Sequence, residues 1–229
     1  MATVDSSYLT APVIVIPQTR MTIDDFREWV YSEDFPERGR VTYVQGRVTV
    51  DMSPERVDLH TKIKGEISFV ITGLVKAAGL GEFFPDGAWF TNRDAGVSHE
   101  PDAAFASWDT LKSGRLAPPA DRANDDRYIE LVGAPDWICE IVSDSSVDKD
   151  TRQLLDAYHR AGIREYWLID ARGEEINFQL LLHREGGYEP AVANDGWVYS
   201  PVFQREFKLS RRRNPLGRWQ YDLEHRTSE

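Results

Sequence analysis

The stretch PDWICEIVSDSSVDKDTRQLLDAYHRAGIREYWLID, Pro135 to Asp170, constrains the fold more than any other part of the chain. Its first run, Trp137 to Val142, and its last, Glu165 to Asp170, read as interior strands. The polar middle, from about Asp148 to Ala161, has helical periodicity and is closed by Gly162. A strand, a helix and a strand in succession make one crossover unit, and such units are right-handed in nearly every protein. The two strands are therefore expected to be parallel neighbours in one sheet.

The rest of the chain supplies more strands than helices. Thr22 is a helix N-cap ahead of IDDFREWVYS, with acids in the first turn. VTYVQGRVTVDM reads as a hairpin turned near Gln45 and Gly46. From about Glu55 to Ala78 apolar residues recur at three and four, which predicts a long amphipathic helix ending at Gly79. GEFFPD, GAWFTN and DAAFA read as short strands, and SWDTLKSGRLAPPADRANDDRY as a polar excursion. INFQLLLH, WVYSPVF and REFKLS follow as late strands. The order predicts an α/β (α+β mixed) chain with a central mixed sheet flanked by helices. Residues 1–20 are expected as an extended arm, 21–209 as the domain and 210–229 as a basic tail.

Composition bounds the function. No stretch is long and apolar enough to span a bilayer and the first twenty residues lack a basic leader, so a cytoplasmic protein away from membranes is expected. The single cysteine, Cys139, lies among strand residues and reads as a small core residue. A formal charge of −11 opposes attraction to nucleic acid, so a DNA partner requires local basic patches or metal ions. The exposed aromatics expected at Trp197 and Trp219 would suit a homodimer interface.

Glu140 is the residue this pattern does not explain by itself. On alternating strand geometry it shares a face with Ile138 and Val142, while Trp137, Cys139 and Ile141 share the other. A buried carboxylate costs several kcal/mol unless it meets a cation, a metal or hydrogen-bond donors. An ion pair with a neighbouring Arg or Lys would meet that need, and so would a role as metal ligand. Asp102, which follows Pro101 and precedes a small-residue strand, favours the second account. Two carboxylates from adjacent strands suit a hard cation such as Mg²⁺.

PDAAFAS, PDWICEIVSDSS, Asp150, Tyr158, AGI and EYWLID, together with MTIDDF and VQGRVTVDMSPE followed by His60, resemble the putative restriction endonuclease family, long called a domain of unknown function, of the PD-(D/E)XK nuclease superfamily. The resemblance runs from about residue 21 to 209. It implies a restriction-endonuclease-like core and a Mg²⁺- or Mn²⁺-dependent endonuclease that hydrolyses phosphodiester bonds in DNA. Asp102 and Glu140 match the metal-binding acids, and Ile141 would lend its carbonyl to the same ion. The matching lysine position holds Val142 in the superfamily's spacing and Leu154 in the family's.

Lys149 and Gln153, with Arg152, are the nearest substitutes on the following helix, and Lys62 and Lys64 on the earlier one. On regular helical spacing none shares the face of Leu154 cleanly. Glu66, Ser143 and Asp150 are expected as supporting residues, with His99 and Glu100 behind Asp102. Arg211, Arg212 and Arg213, near Trp219, are candidate nucleic-acid contacts. Because the lysine is replaced by Leu154, a catalytically weakened binding module is the alternative to an enzyme.

Overall fold

The structure is a computed structural model that describes residues 21–36, 38–120 and 128–227. The expected N-terminal arm lies outside the described residues. Helix α1, Ile23–Val30, opens on a capping box in which Thr22 Oγ1 accepts from Asp25 N at 3.1 Å and Asp25 Oδ2 accepts from Thr22 N at 2.9 Å. Its apolar side, Phe26, Trp29 and Val30, packs on Tyr43 and Trp89. Strands β1, Arg40–Val44, and β2, Arg47–Asp51, form the expected hairpin. Gln45 and Gly46 turn it at φ 48° and 82°, the left-handed pair that a two-residue turn between twisted strands needs.

Helix α2, Lys62–Ala78, starts later than the periodicity predicts, because Val57–Thr61 forms one wider i→i+5 turn and residues 52–56 are not helical. Gly79, at φ 62° and ψ 38°, ends it. The chain continues through β3 Gly81–Phe84, β4 Trp89–Asn92, β5 Val97–His99, β6 Ala103–Ser107, α3 Trp108–Lys112, β7 Leu116–Ala117, β8 Glu130–Gly133 and β9 Trp137–Ile141. A second wide turn, Lys149–Gln153, leads into α4 Leu154–Arg160. Then come β10 Glu165–Asp170, β11 Asn177–Arg184, β12 Gly187–Pro190, β13 Ala193–Asn194, β14 Trp197–Ser200, β15 Arg205–Arg213 and β16 Trp219–Arg226.

The strands form three sheets where one central sheet is expected from the sequence. The orders are β2-β1-β5-β4-β8-β7, β12-β11-β10-β9-β6-β3 and β13-β14-β15-β16. The first sheet separates because β1 pairs with β5, a strand too short to be read from the sequence. The polar excursion also contributes to it: Ser107 caps α3, and β7 pairs with β8, while residues 121–127 lie outside the described residues. The expected basic tail is no tail, since β15 runs to Arg213 and β16 returns against it.

The crossover behaves as its residues require. β9 and β10 are parallel, with Trp137 opposite Glu165 and Ile141 opposite Ile169. Trp137, Cys139 and Ile141 face one core with Ile63, Ile67 and Ile71 of α2, while Ile138 and Val142 face another with Leu154, Ala157 and Tyr158 of α4. Trp137 and Trp167, both fully buried, meet edge to face with centroids 5.1 Å apart, which adds about 1 kcal/mol beyond burial. Helices thus cover both faces of the sheet that carries Glu140.

Candidate active site

β6 and β9 bring the two acids together. They are antiparallel with Ala103 opposite Cys139, and continuing that register by one residue sets Asp102 opposite Glu140. Directly opposed residues of such a pair share a face with Cβ atoms roughly 5 Å apart. Both acids are buried, at 2% and 1% exposure. Asp102 stands where β6 begins, so its carboxylate can reach across the strand end, and Oδ2 accepts from the backbone N–H of Ile141 at 2.7 Å.

Cations and donors satisfy each acid differently. Around Asp102, Arg40 Nη2 stands 3.1 Å and Lys64 Nζ 3.3 Å from Oδ1, and His60 Nε2 stands 3.2 Å from Oδ2. Burial works to raise the Asp102 pKa, but His60, Arg40 and Lys64 outweigh it and hold the group ionised, well below the usual carboxylate range. Glu55 pairs with Arg40, lies 3.3 Å from Lys64 and 3.3 Å from His60 Nδ1, and so gathers these three groups around Asp102.

Among the described residues Glu140 has no such cation in contact. Its Oε1 accepts from Tyr158 Oη at 2.6 Å and lies 3.0 Å from His99 Nε2, while Thr42 Oγ1 lies 2.8 Å from His99 Nδ1. Burial, with the Lys149 charge next, holds the His99 pKa well below its ordinary value. A neutral ring satisfies both neighbours when Thr42 donates to Nδ1 and the Nε2 proton points at Glu140. Oε2 of Glu140 accepts from none of the described residues. Burial pushes the Glu140 pKa up to about 7; Lys149 opposes that shift and Asp102 adds to it.

Lys149 is the cation whose charge acts most on Glu140. Its side chain is only 14% exposed, with Nζ 3.1 Å from Asp150 Oδ1. Burial works to lower its pKa, but Glu140, Asp150 and Asp102 together raise it, so it stays protonated. The wide turn explains how Lys149 gets there. In an i→i+5 turn the backbone hydrogen bond joins residues 149 and 154, and Leu154 N indeed donates to Lys149 O. On regular 3.6-residue spacing Lys149 would lie to one side.

The other expected residues divide. Asp150 lies beside Lys149, accepts from Ser146 Oγ, and is raised to about 6 by burial against the pull of Lys149. Ser143 N donates to Ser146 Oγ at 2.9 Å, so Ser143 shapes the loop after β9. Gln153 is turned away, donating to Asp148 Oδ2 at 2.7 Å, and Arg152 is exposed beside it. Glu66 does not approach the acids either: Oε1 accepts from Leu223 N of β16 at 3.0 Å, because residue 66 lies on the side of α2 that meets the C-terminal sheet. Lys62 likewise donates to Trp219 O at 2.6 Å. Arg212 pairs outward with Asp222 at 2.9 Å, whereas Arg211 and Arg213 lie over the Trp219 ring. Arg40, Thr42 and Glu55, which the sequence reading missed, come from β1 and from the segment before α2, distant positions with no local signal.

A cavity of about 190 Å³ opens beside this cluster, lined in part by Arg40, Glu55, His60, Ser143, Arg56 and Arg172. Residues 23–212 match the family model Uma2, described as "Putative restriction endonuclease". The chain belongs to the Uma2 family. The crystal structure of "a putative nuclease belonging to DUF820" from Anabaena variabilis ATCC 29413 is similar in fold, at TM-score 0.60 and 22% identity over 80% of this chain and 90% of that one. No curated protein matches the chain.

For this Uma2 chain, the acids fit a hard divalent cation. Among the described residues no three His, Cys, Asp or Glu side chains form a closed ligand cage. Mg²⁺ does not ask for one, since it commonly takes one or two carboxylates and keeps its waters. Glu140 offers Oε2, which has no donor among the described residues, and Asp102 stands opposite it, already ionised.

Proposed function

We propose that this Uma2 member is a divalent-cation-dependent endonuclease that hydrolyses phosphodiester bonds in DNA. The observation that carries the reading is the pairing of two buried acids at one register position, with Glu140 Oε2 accepting from none of the described residues and the charge of the protonated Lys149 acting on Glu140. Asp102, Glu140 and the carbonyl of Ile141 would hold Mg²⁺ or Mn²⁺. Such an ion, when bound, lowers the pKa of a coordinated water and offsets charge on the phosphate.

The chain's own groups complete the chemistry. Tyr158 and His99 fix Oε1 of Glu140 and so leave Oε2 aimed away from them. Arg40, Lys64 and His60 keep Asp102 ionised. Lys149 supplies positive charge where the phosphate oxygens gain negative charge as water bonds to phosphorus and the opposite P–O ester bond breaks. No covalent enzyme intermediate is needed.

The test is cleavage of supercoiled plasmid with Mg²⁺ or Mn²⁺ by wild type, Asp102→Ala and Glu140→Ala. Nicking by wild type that both substitutions abolish is expected. Equal nicking by all three proteins would remove the enzyme reading and leave a nuclease fold that serves as a binding module.

A further inference from the structure

The C-terminal hairpin carries a surface that the site above does not use. On the inward face of β15 and β16, Phe207, Leu209, Tyr221 and Leu223 are buried in the core shared with α2. Two residues further along, that same face changes character. Arg211 lies opposite Tyr221 and Arg213 opposite Trp219, so by the period-two rule these side chains continue the inward face past the end of the core. Their guanidinium carbons stand 4.1 Å and 3.4 Å from the Trp219 ring centroid, and Arg213 is exposed. Arg212, on the opposite face, is neutralised by Asp222.

This basic and aromatic end is fixed beside the cavity. Arg211 donates to Ala171 O at 3.2 Å and Gly173 O at 2.8 Å, bracketing Arg172, which lines the cavity. Lys62 holds Trp219 from below through its carbonyl. Arg56 lines the same cavity. The family match runs over residues 23–212, and β16 with Trp219 lies beyond it. The net charge of −11 makes a local cationic surface of this kind the means by which a polyanion could approach at all.

We propose that the Arg211–Arg213–Trp219 end of the hairpin is a nucleic-acid-backbone docking surface that leads a phosphodiester strand into the cavity beside Asp102. Resting on the nuclease reading for its location, it adds which residues grip the strand outside the reacting phosphate. The partner chemistry is a sugar-phosphate backbone held by guanidinium groups, with the Trp219 ring keeping both in place.

The experiment is fluorescence anisotropy with labelled single-stranded and duplex oligonucleotides across a salt series, using the full chain. Arg213→Gln and Trp219→Leu are compared with Arg212→Gln. Arg213→Gln is expected to weaken binding and to lower the slope of log K against log salt by about 0.9 on duplex or about 0.7 on single strands. Trp219→Leu, which removes the ring that holds Arg211 and Arg213, is expected to weaken binding to single strands and duplex alike. Arg212→Gln should leave the slope unchanged. Wild-type slope in Arg213→Gln would overturn the proposal, as would equal weakening by Arg212→Gln. Equal competition by polyglutamate would also overturn it, because it would reduce the surface to unspecific charge. Cleavage is read separately: a wild-type chain that shows the Arg213-dependent slope but never nicks plasmid refutes the nuclease reading alone, and a wild type that nicks without that slope overturns the docking surface alone.

Discussion

Replacing Lys149 by Met tests the site most sharply, because the straight side chain fills the same buried channel without the charge. Lys149 is the strongest cationic influence on Glu140 and is protonated despite burial. Removing one preorganised positive group aimed at charge that develops in the transition state costs about two orders of magnitude in rate. The variant is therefore expected to nick plasmid about a hundredfold more slowly under single-turnover conditions with saturating Mg²⁺. Since a backbone hydrogen bond joins residues 149 and 154 across the wide turn, Leu154→Lys in the Lys149→Met background should recover part of the loss. Thermal melting within a few degrees of wild type would show that the fold is intact. A folded Lys149→Met protein that cuts at the wild-type rate would refute the reasoning.

Glu165 gives a pH prediction separate from catalysis. Burial raises its pKa from the ordinary 4.5 to about 7, against donors from Ser200, Trp167 and Val202. The folded state thus binds the proton more tightly than the unfolded one, so stability falls as pH rises from about 4.5 to about 7, by on the order of 3 kcal/mol. Glu165→Gln should flatten this part of the profile in urea midpoints measured at pH 5 and 7.5, and an unchanged wild-type slope would contradict it. Cys139 is wholly buried, with burial pushing its thiol pKa up; it should react with an aromatic disulfide reagent only on unfolding, and stoichiometric reaction of the native protein would count against the fold. At Gly133, φ is 125° and an added Cβ would fall 2.0 Å from Arg115 O, so Gly133→Ala should cost about 3 kcal/mol or more. Calorimetry that finds no fall in Tm would refute it.

The legible parts of this chain were those where local chemistry and burial agree. The β9–α4–β10 crossover announced itself through two apolar runs around a polar helix, Thr22 carried its capping chemistry in its hydroxyl, and Gly46 its turn chemistry in the lack of a Cβ. β5 and β8 went unread because three or four residues that include Ser98, His99 or Glu130 carry too little periodicity; their burial comes from neighbouring strands. The C-terminal hairpin was hidden because RRR followed by NPLG reads as a solvated tail, and only the Trp219 pairing shows a strand. At the site, Asp102 and Glu140 could be found from their places in strands. Lys149 could not be placed, because a wide turn changes the helical phase and nothing in KDTRQ signals one. Arg40 reaches Asp102, and Glu55 reaches Arg40, through tertiary packing alone.

Manganese binding without any substrate tests the central claim most directly. In a titration followed by the electron paramagnetic resonance signal of free Mn²⁺, wild type is expected to take up about one ion per chain. Asp102→Asn and Glu140→Gln, each still folded by circular dichroism, should bind at least about tenfold more weakly. Uptake of equal strength by both variants would contradict the account, and so would a wild type that leaves the free-ion signal untouched.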